Sequence, residues 1–330
     1  MKIALVAKSC EHSGAAGLAS CLSKLDDVSA TLLYHIKSPY KFFSMFPRSR
    51  QYGYHREYYI EKIISADWIL MMGWPAVERH TFRMCESPLW KGKMLPHPHE
   101  WLSKRKVACF ATGGVWFGDR VKYEECKGIF NKISTLVFAT PDKFPLVEFS
   151  VPTYPYFQPV ETVEVEKSKT ILLSHSPGLK IDEDVKGTAI IRDIFKRICK
   201  EYSNVKYEIL SGLSYKECIV AKAKAHIFVD QFIPNYTSQW SGGLGKSGLE
   251  AMAAGCATIT TGKLSSTRLY FPECPVLLVS SKDELYHIIR DLVIHPNKLT
   301  CTQQMHKTWI EKYASPECVA EHVMGILKAH

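Results

Sequence analysis

The sequence has no uninterrupted apolar run of the roughly 18 residues that a membrane-spanning helix needs. The longest candidate, Ala66–Val77, is too short and contains Gly73 and Pro75. The N-terminal segment Met1–Ala7 is too brief for a signal peptide and predicts a first β-strand instead. Hydrophobic residues make up 46% and charged residues 23% of the 330 residues. This composition indicates a soluble globular protein with a large core and excludes a disordered or fibrous chain.

Cysteine is present, but not in a pattern that indicates a metal site or a disulfide framework. The chain has 11 cysteines, an odd number, and no C-x2-C pair, which is the spacing typical of zinc ligands. Cys109 and Cys199 stand within apolar runs, where a free cysteine acts as a small core residue. We therefore expect a reducing compartment, the cytoplasm, and no metal site.

Strand-like and helix-like segments alternate along the chain, which is typical of parallel sheets built from βαβ units. Five prolines between residues 141 and 160 interrupt the pattern and predict an ordered connector between two domains. The predicted divisions are an N-terminal domain at 1–155, a C-terminal domain at 156–312 and a terminal helix at 313–330. The length, about twice that of a ~150-residue domain, agrees with this division.

The predicted strands are Ile3–Ala7, Ala30–His35, Trp68–Met72, Val107–Ala111, Thr135–Ala139, Thr170–Ser174, Lys206–Leu210, His226–Phe232, Ala257–Thr261 and Val276–Val279. The predicted helices include Ala15–Lys24, His55–Ala66, Thr188–Tyr202, Tyr215–Ala223, Ser247–Ala254 and one that opens at Pro316. In Thr188–Tyr202 the apolar residues fall on one face.

The net charge of +9 is unevenly distributed. Residues 1–160 hold 21 basic and 14 acidic residues, a charge of +7, whereas residues 161–330 hold 21 and 19, a charge of +2. A basic first half suits an acidic partner such as a phosphorylated acceptor, an anionic membrane or a nucleic acid. The excess charge is also explained by solubility alone.

Residues 37–62 interleave basic and aromatic side chains, among them Arg48, Arg50 and Arg56, which we assign to the acceptor side. This combination suits peripheral contact with an anionic membrane surface. It also suits a nucleic acid, where rings stack on bases. A third interpretation is a helix whose aromatic residues face the core and whose basic residues face water.

The segment Ser241–Gly255 is the most informative part of the sequence. Glycines beside a helix start let backbone N–H groups approach an anion, and the helix N-terminus adds positive partial charge. The segment does not match a P-loop, because that motif requires glycine where this chain has Trp240 and because the strand His226–Phe232 lies too far upstream. A purely structural glycine turn is the other interpretation. Glu250 is predicted in the first turn of the helix, where a carboxylate can accept hydrogen bonds from the hydroxyls of a ribose.

Three motifs in order resemble a known family. In chain order, the first is Thr140-Pro141-Asp142 followed by Val151-Pro152. The second is Leu173–Pro177 followed by Lys186-Gly187-Thr188, and the third is Leu249-Glu250-Ala251-Met252-Ala253-Ala254-Gly255. Together they resemble the retaining GT-B glycosyltransferases known as "glycosyl transferases group 1". The resemblance implies an α/β fold of two Rossmann-like domains facing across a cleft, with a nucleotide-diphosphate sugar as donor substrate and no other cofactor.

By this resemblance Glu250 binds the donor ribose and Lys186 neutralises the diphosphate, and with His12 they are the candidate catalytic residues. The other residues assigned to the donor are Gly14, His175, Ser176, Asp230, Gln231, Gly243, Gly245, Lys246 and Ser247. Thr112 and Gly113 belong to the acceptor side. Asp230 and Gln231 either face the base or sugar or cap the loop that follows them.

One position departs from the family pattern. Many members carry another acid eight residues before the ribose glutamate, where this chain has Gly242. Contact with the sugar must then come from elsewhere, or from backbone N–H groups near Gly243. Lys246 is unusual in this loop and is a further candidate ligand of the diphosphate.

The sequence therefore predicts a metal-independent, cytoplasmic retaining glycosyltransferase that acts on a glycan or a lipid-linked glycan, with possible peripheral contact at a membrane. Alternatives are a transferase acting on hydroxylated DNA bases and a non-catalytic nucleic-acid-binding protein on the same scaffold. A GT-B epimerase or phosphorylase is a further alternative.

Overall fold

The computed structural model describes residues 1–9, 13–36, 50–51, 56–72, 97–111, 133, 135–139, 150–152, 165–177, 184, 186–233, 244–261 and 273–330. The chain forms two compact units. One unit comprises Met1–Pro159 together with Pro316–His330, and the other comprises Val160–Ser315.

Among its described residues the first unit contains a parallel sheet of seven strands. In chain order they are β1 (Lys2–Ser9), β2 (Ser29–Ile36), β3 (Arg50–Gln51), β4 (Trp68–Met72), β5 (Val107–Ala111), β6 (Leu136–Ala139) and β7 (Ser150–Pro152). The sheet order is β3-β2-β1-β4-β5-β6-β7. Helices α1 (Ser13–Leu22), α2 (Arg56–Ile64) and α3 (Pro98–Leu102) alternate with the strands. Residues 3–7 of β1 are all at most 2% exposed, because a central parallel strand is covered on both faces.

The described part of the second unit contains a parallel sheet of five strands. They are β8 (Ile171–His175), β9 (Val205–Ile209), β10 (Ile227–Gln231), β11 (Ala257–Thr261) and β12 (Leu277–Val279), in the sheet order β12-β11-β10-β8-β9. Its helices are α4 (Thr188–Glu201), α5 (Tyr215–Lys224), α6 (Lys246–Ala253), α7 (Lys282–Ile294) and α8 (Pro296–Tyr313). The two sheets confirm the predicted class of two Rossmann-like α/β domains.

Helix α4 shows how periodicity positions an element of the second unit. Ile191, Ile194, Phe195 and Ile198 are buried and belong to one core cluster with residues of β8, β10 and β11. Their spacing of three and four residues places them on one helix face. The predicted apolar face of this helix is therefore confirmed.

The terminal helix α9 (Pro316–Ala329) belongs to the first unit, where it packs against α1. Its buried residues include Val319, Val323 and Leu327. Exposed ion pairs join Lys24 to Glu317 at 2.8 Å and Lys328 to Asp27 at 3.1 Å. Exposed pairs contribute little to stability, so the apolar face is the main attachment.

Several parts of the fold differ from the sequence-based expectation. Strand β3 and helix α3 are not among the predicted elements. The predicted connector contains an edge strand, β7, whose last residue is Pro152. An edge strand tolerates proline because one side of its backbone has no partner strand. Helices α7 and α8 were not predicted, although both begin with recognisable signals. Ser281 accepts a hydrogen bond from the Glu284 backbone N–H at 3.1 Å, and Pro296 occupies the first turn of α8.

In the described residues no helix combines the length and the apolar character needed to cross a membrane.

Gly187 and Gly212 form a matched pair, because both adopt a left-handed backbone, with φ angles of +71° and +72°. Comparing them tests whether the backbone of Phe232 approaches Gly187 closely. A Cβ at Gly187 would lie 1.6 Å from the carbonyl oxygen of Phe232, whereas a Cβ at Gly212 would meet no atom within 4 Å. Gly212→Ala should cost only left-handed strain, about 1–2 kcal/mol. Gly187→Ala should cost at least about 2 kcal/mol more, since backbone must move. Urea unfolding of the full chain measures both, and equal losses would contradict the close approach.

Candidate functional site

The candidate site lies at the carboxyl edge of the second sheet, beside β8 and β10. These strands are neighbours in the sheet although β9 separates them in sequence. In open α/β sheets ligands bind outside the carboxyl ends of the strands at such a switch point. His175 ends β8, and Asp230 and Gln231 end β10. Three of the predicted donor residues therefore lie on two neighbouring strands at this edge.

Lys186 reaches the same edge from the turn before α4. Gly187 adopts a left-handed conformation there, and the backbone N–H of Phe232 donates to the carbonyl oxygen of Lys186 at 2.8 Å. Because Phe232 directly follows β10, this bond fixes the turn against the end of that strand. The Lys186 ammonium then donates to Asp230 Oδ1 at 3.0 Å.

Asp230 links Lys186 to the start of α6. Its side chain is fully buried, and Oδ2 accepts a hydrogen bond from the backbone N–H of Gly245 at 2.8 Å. A Cβ added at Gly245 would lie 2.7 Å from this Asp230 oxygen, and a Cβ added at Gly248 would lie 3.1 Å from it. Glycine at these two positions therefore allows α6 to approach the carboxylate. Of the two predicted roles for Asp230, the geometry favours holding the following loop.

Glu250 lies in the second turn of α6, not in its first turn as the sequence predicts, because the helix begins at Lys246. Its side chain is 8% exposed. Oε2 accepts from the Lys222 ammonium at 2.5 Å, and Oε1 lies 3.2 Å from the Lys246 ammonium. Lys222, on α5, is 1% exposed. Sequence reasoning missed Lys222, although a lysine beside Ile219 and Ala223 on a buried helix face was a signal.

The charges of this cluster stabilise one another. Burial raises the pKa of the Glu250 carboxyl, but the two ammonium groups lower it more, so the pKa lies below its ordinary value. Burial lowers the pKa of Lys222, and Glu250 raises it above its ordinary value. Burial lowers the pKa of Lys246 to about 8, against the opposite effect of Glu250. Glu250 is therefore ionised at neutral pH, with Lys222 fully and Lys246 mainly protonated.

His175 has a structural role in this geometry. Its ring is fully buried, Nδ1 lies 2.7 Å from the Val229 carbonyl oxygen, and Nε2 lies 2.9 Å from Thr188 Oγ1. Since a carbonyl only accepts, Nδ1 carries the proton and Nε2 accepts from the hydroxyl. Burial lowers the pKa of His175 to about 4, so the ring is neutral. The ring fixes Thr188 beside the Lys186 turn, and neither nitrogen is directed at a ligand.

The N-terminus of α6 is suited to an anion. Its N-cap, Gly245, provides no capping side chain, and Ser247 Oγ is buried without a hydrogen-bond partner among the described residues. The ion pairs described near this helix involve three lysines (Lys186, Lys222 and Lys246) and two carboxylates (Asp230 and Glu250). The excess positive charge and the helix dipole both favour a bound anion such as a diphosphate.

Metal binding has no candidate cluster in the described part of the chain, where no group of three or more His, Cys, Asp or Glu residues could hold an ion. The sequence does contain one D-x-D triplet, Asp182-Glu183-Asp184. Of these the structure describes Asp184, whose carboxylate accepts from the backbone N–H groups of Thr188 and Ala189 at 2.6 and 2.8 Å. This acid therefore caps α4.

The predicted residues of the first unit are not brought into a described site. His12, Arg48, Thr112 and Gly113 lie outside the described residues, as does Gly243 of the second unit. The backbones of Gly14, Arg50 and Arg56 belong to α1, β3 and α2. Their assignments to the donor and acceptor stay predictions. Ser176 is half-buried directly after β8.

Comparisons with solved structures identify the fold. The Anabaena protein HepE, in complex with UDP and glucose, is 11% identical over 100% of both chains, with a TM-score of 0.68. The UDP-GlcNAc 2-epimerase of Neisseria meningitidis, bound to UDP-GlcNAc, is 12% identical over 100% of both chains, with a TM-score of 0.62. Sucrose-phosphate synthase from Thermosynechococcus elongatus is 12% identical, covering 100% of this chain and 98% of its own, with a TM-score of 0.56.

No protein-family model matches the sequence, and no curated protein matches it significantly. At identities this low, structural likeness establishes the fold alone. The chain therefore has the GT-B fold of these enzymes, whereas membership of the group 1 glycosyltransferases stays a prediction.

The buried pair Lys222–Glu250 predicts a large effect on stability. Lys222→Met should lower the free energy of unfolding by about 3–5 kcal/mol, because the buried Glu250 carboxylate would lose its closest cation. The double variant Lys222→Met/Glu250→Met removes both charges and should recover much of that loss. Lys216→Met changes an exposed lysine of the same helix and should alter stability by less than about 0.5 kcal/mol. Urea unfolding of the full chain compares them, and a Lys222→Met loss no larger than the control would refute the pair's importance.

Proposed function

We propose that this protein is a retaining glycosyltransferase that uses a nucleoside-diphosphate sugar and acts on a hydroxyl of a glycan or lipid-linked glycan. The observation that carries the donor part is a convergence at one edge of the second sheet. Asp230 holds the Lys186 ammonium and the N-cap of α6 there, and the same helix carries the buried, ionised Glu250 in its second turn.

Each part of the donor has a matching group in this arrangement. The diphosphate would lie at the N-terminus of α6, where backbone N–H groups and the helix dipole favour negative charge. Lys186, whose side chain is 21% exposed, would contact the same phosphates. Glu250 would accept hydrogen bonds from the ribose hydroxyls. These contacts rest on the sequence resemblance and on the positions of the side chains.

The same groups provide a mechanism. During transfer the bond between the anomeric carbon and the diphosphate oxygen breaks, and negative charge grows on the leaving diphosphate. Lys186 and the α6 N-terminus stabilise that charge because they are already fixed in place. The acceptor oxygen bonds to the anomeric carbon on the face that the diphosphate leaves, and a phosphate oxygen takes the acceptor proton. In this proposal fixed cations and dipoles perform the charge stabilisation, without a metal.

Similarity to structures determined with UDP, UDP-glucose and UDP-GlcNAc supports UDP as the first nucleotide to test. It also favours a second candidate, isomerisation of the donor sugar. Three of the similar structures are named as established or putative UDP-GlcNAc 2-epimerases. Both candidates require the same donor site and differ in whether an acceptor is needed.

Nucleotide binding is tested by a thermal-shift screen of UDP, GDP, ADP and CMP and their common sugars, followed by calorimetry. We expect stabilisation by one nucleoside diphosphate, since a ligand of the native state raises the unfolding temperature as its concentration exceeds the dissociation constant. Glu250→Gln and Lys186→Ala should weaken binding at least about tenfold, the loss of a charged hydrogen bond. Glu166→Gln and Lys206→Ala, at exposed positions of the same unit, are the matched controls. A folded wild type that binds no nucleotide would refute the donor site.

Transfer and isomerisation are separated by proton NMR of the donor sugar. Without an acceptor, UDP-glucose and UDP-GlcNAc should keep their sugar configuration, apart from slow hydrolysis. With glycan acceptors, the product should keep the anomeric configuration of the donor. Accumulation of a C2 epimer from UDP-GlcNAc alone would establish the epimerase instead.

A further inference from the structure

We infer that Lys246 changes partner when the donor binds, leaving Glu250 for the diphosphate, while Lys222 stays on Glu250. The inference rests on the proposed donor site and assigns different roles to the two lysines. Lys222 is the positioning residue of the carboxylate. Lys246 couples recognition of the ribose to recognition of the diphosphate.

The two lysines hold Glu250 in unequal ways. Lys222 Nζ lies 2.5 Å from Oε2 and its side chain is 1% exposed, whereas Lys246 Nζ lies 3.2 Å from Oε1 and its side chain is 32% exposed. Moving Lys222 away would leave an ammonium buried without its anion, which is costly. Lys246 can reach water or a ligand by rotation of its own side chain. Of the two contacts, the one to Lys246 is therefore the exchangeable one.

The position of Lys246 explains why it would move toward an anion. It is the first residue of α6, where the helix dipole disfavours a positive charge. Glu250, four residues further along the same helix, offsets this repulsion in the structure. A diphosphate at the helix N-terminus would offset it as well and would carry more negative charge. Bound donor thus provides a better partner for Lys246 than Glu250 does.

The ribose favours the exchange for a separate reason. Both oxygens of Glu250 already face ammonium groups, so Lys246 uses part of the acceptor capacity of Oε1 that a hydroxyl donor could use. Release of Lys246 leaves Oε1 to the ribose hydroxyls, and Lys222 keeps the carboxylate ionised and oriented. Diphosphate and ribose therefore favour each other's binding, and a nucleoside without phosphates offers Lys246 no replacement for Glu250.

This coupling predicts that removing the charge of Lys246 weakens the binding of UDP but not the binding of uridine. Isothermal titration calorimetry would use UDP and uridine with wild type, Lys246→Met, Lys246→Arg and the exposed control Lys216→Met. Lys246→Met should weaken UDP binding about tenfold, within the usual range of coupling between sites, and should leave uridine binding unchanged or tighter. Lys246→Arg keeps the charge and should retain most of the UDP affinity. Lys216→Met should resemble wild type with both ligands.

Other outcomes have separate meanings. Wild type that fails to bind UDP overturns the proposed donor site and this inference with it. Wild type that binds UDP, with Lys246→Met weakening UDP and uridine by the same factor, leaves the donor site intact and overturns the exchange. An unchanged UDP affinity in Lys246→Met overturns it too. Circular dichroism and thermal unfolding verify that the Lys246→Met variant is folded. We expect it to fold because the Lys246 side chain is partly exposed.

Discussion

The buried carboxylate of Glu250 is the constraint on which the rest of the candidate site depends. A charged side chain that is only 8% exposed needs cations beside it, and Lys222 and Lys246 provide them from α5 and α6. Apolar replacement of a buried ion pair is often as stable as the pair itself. Stability alone therefore gives little reason for three charged groups here, whereas the proposed donor, with both hydroxyl and phosphate groups, would give one.

Asp230 performs the complementary task of fixing geometry. Its two oxygens hold the Lys186 ammonium and the backbone N–H of Gly245, so one fully buried side chain sets the distance between a cation and a helix start. Glycine at 245 and 248 is needed for this approach. Groups that stabilise developing charge do so most strongly when they are positioned beforehand, and in the proposed mechanism this network would position the Lys186 ammonium and the start of α6.

The sequence predicts features that depend on local periodicity or on a single residue. The apolar face of α4 follows from its spacing, and Gly255, which follows α6 with a left-handed φ of +77°, is the residue type that commonly ends a helix in this way. Features that depend on contacts between distant segments were missed. Lys222 pairs with a residue 28 positions away, which spacing within one helix does not reveal. The helix α6 was predicted to begin at Ser247, whereas it begins at Lys246. A lysine in the first turn is unfavourable unless a carboxylate or a bound anion offsets its charge.

A crystal structure with UDP tests the central claim most directly, because it locates every part of the ligand relative to the groups named above. We expect phosphate oxygens within about 3.2 Å of Lys186 Nζ and of backbone nitrogens in the first turn of α6. We also expect the ribose hydroxyls to donate to Glu250, with Lys222 still in contact with that carboxylate. UDP bound away from the β8–β10 edge, or with its ribose distant from Glu250, would contradict the account.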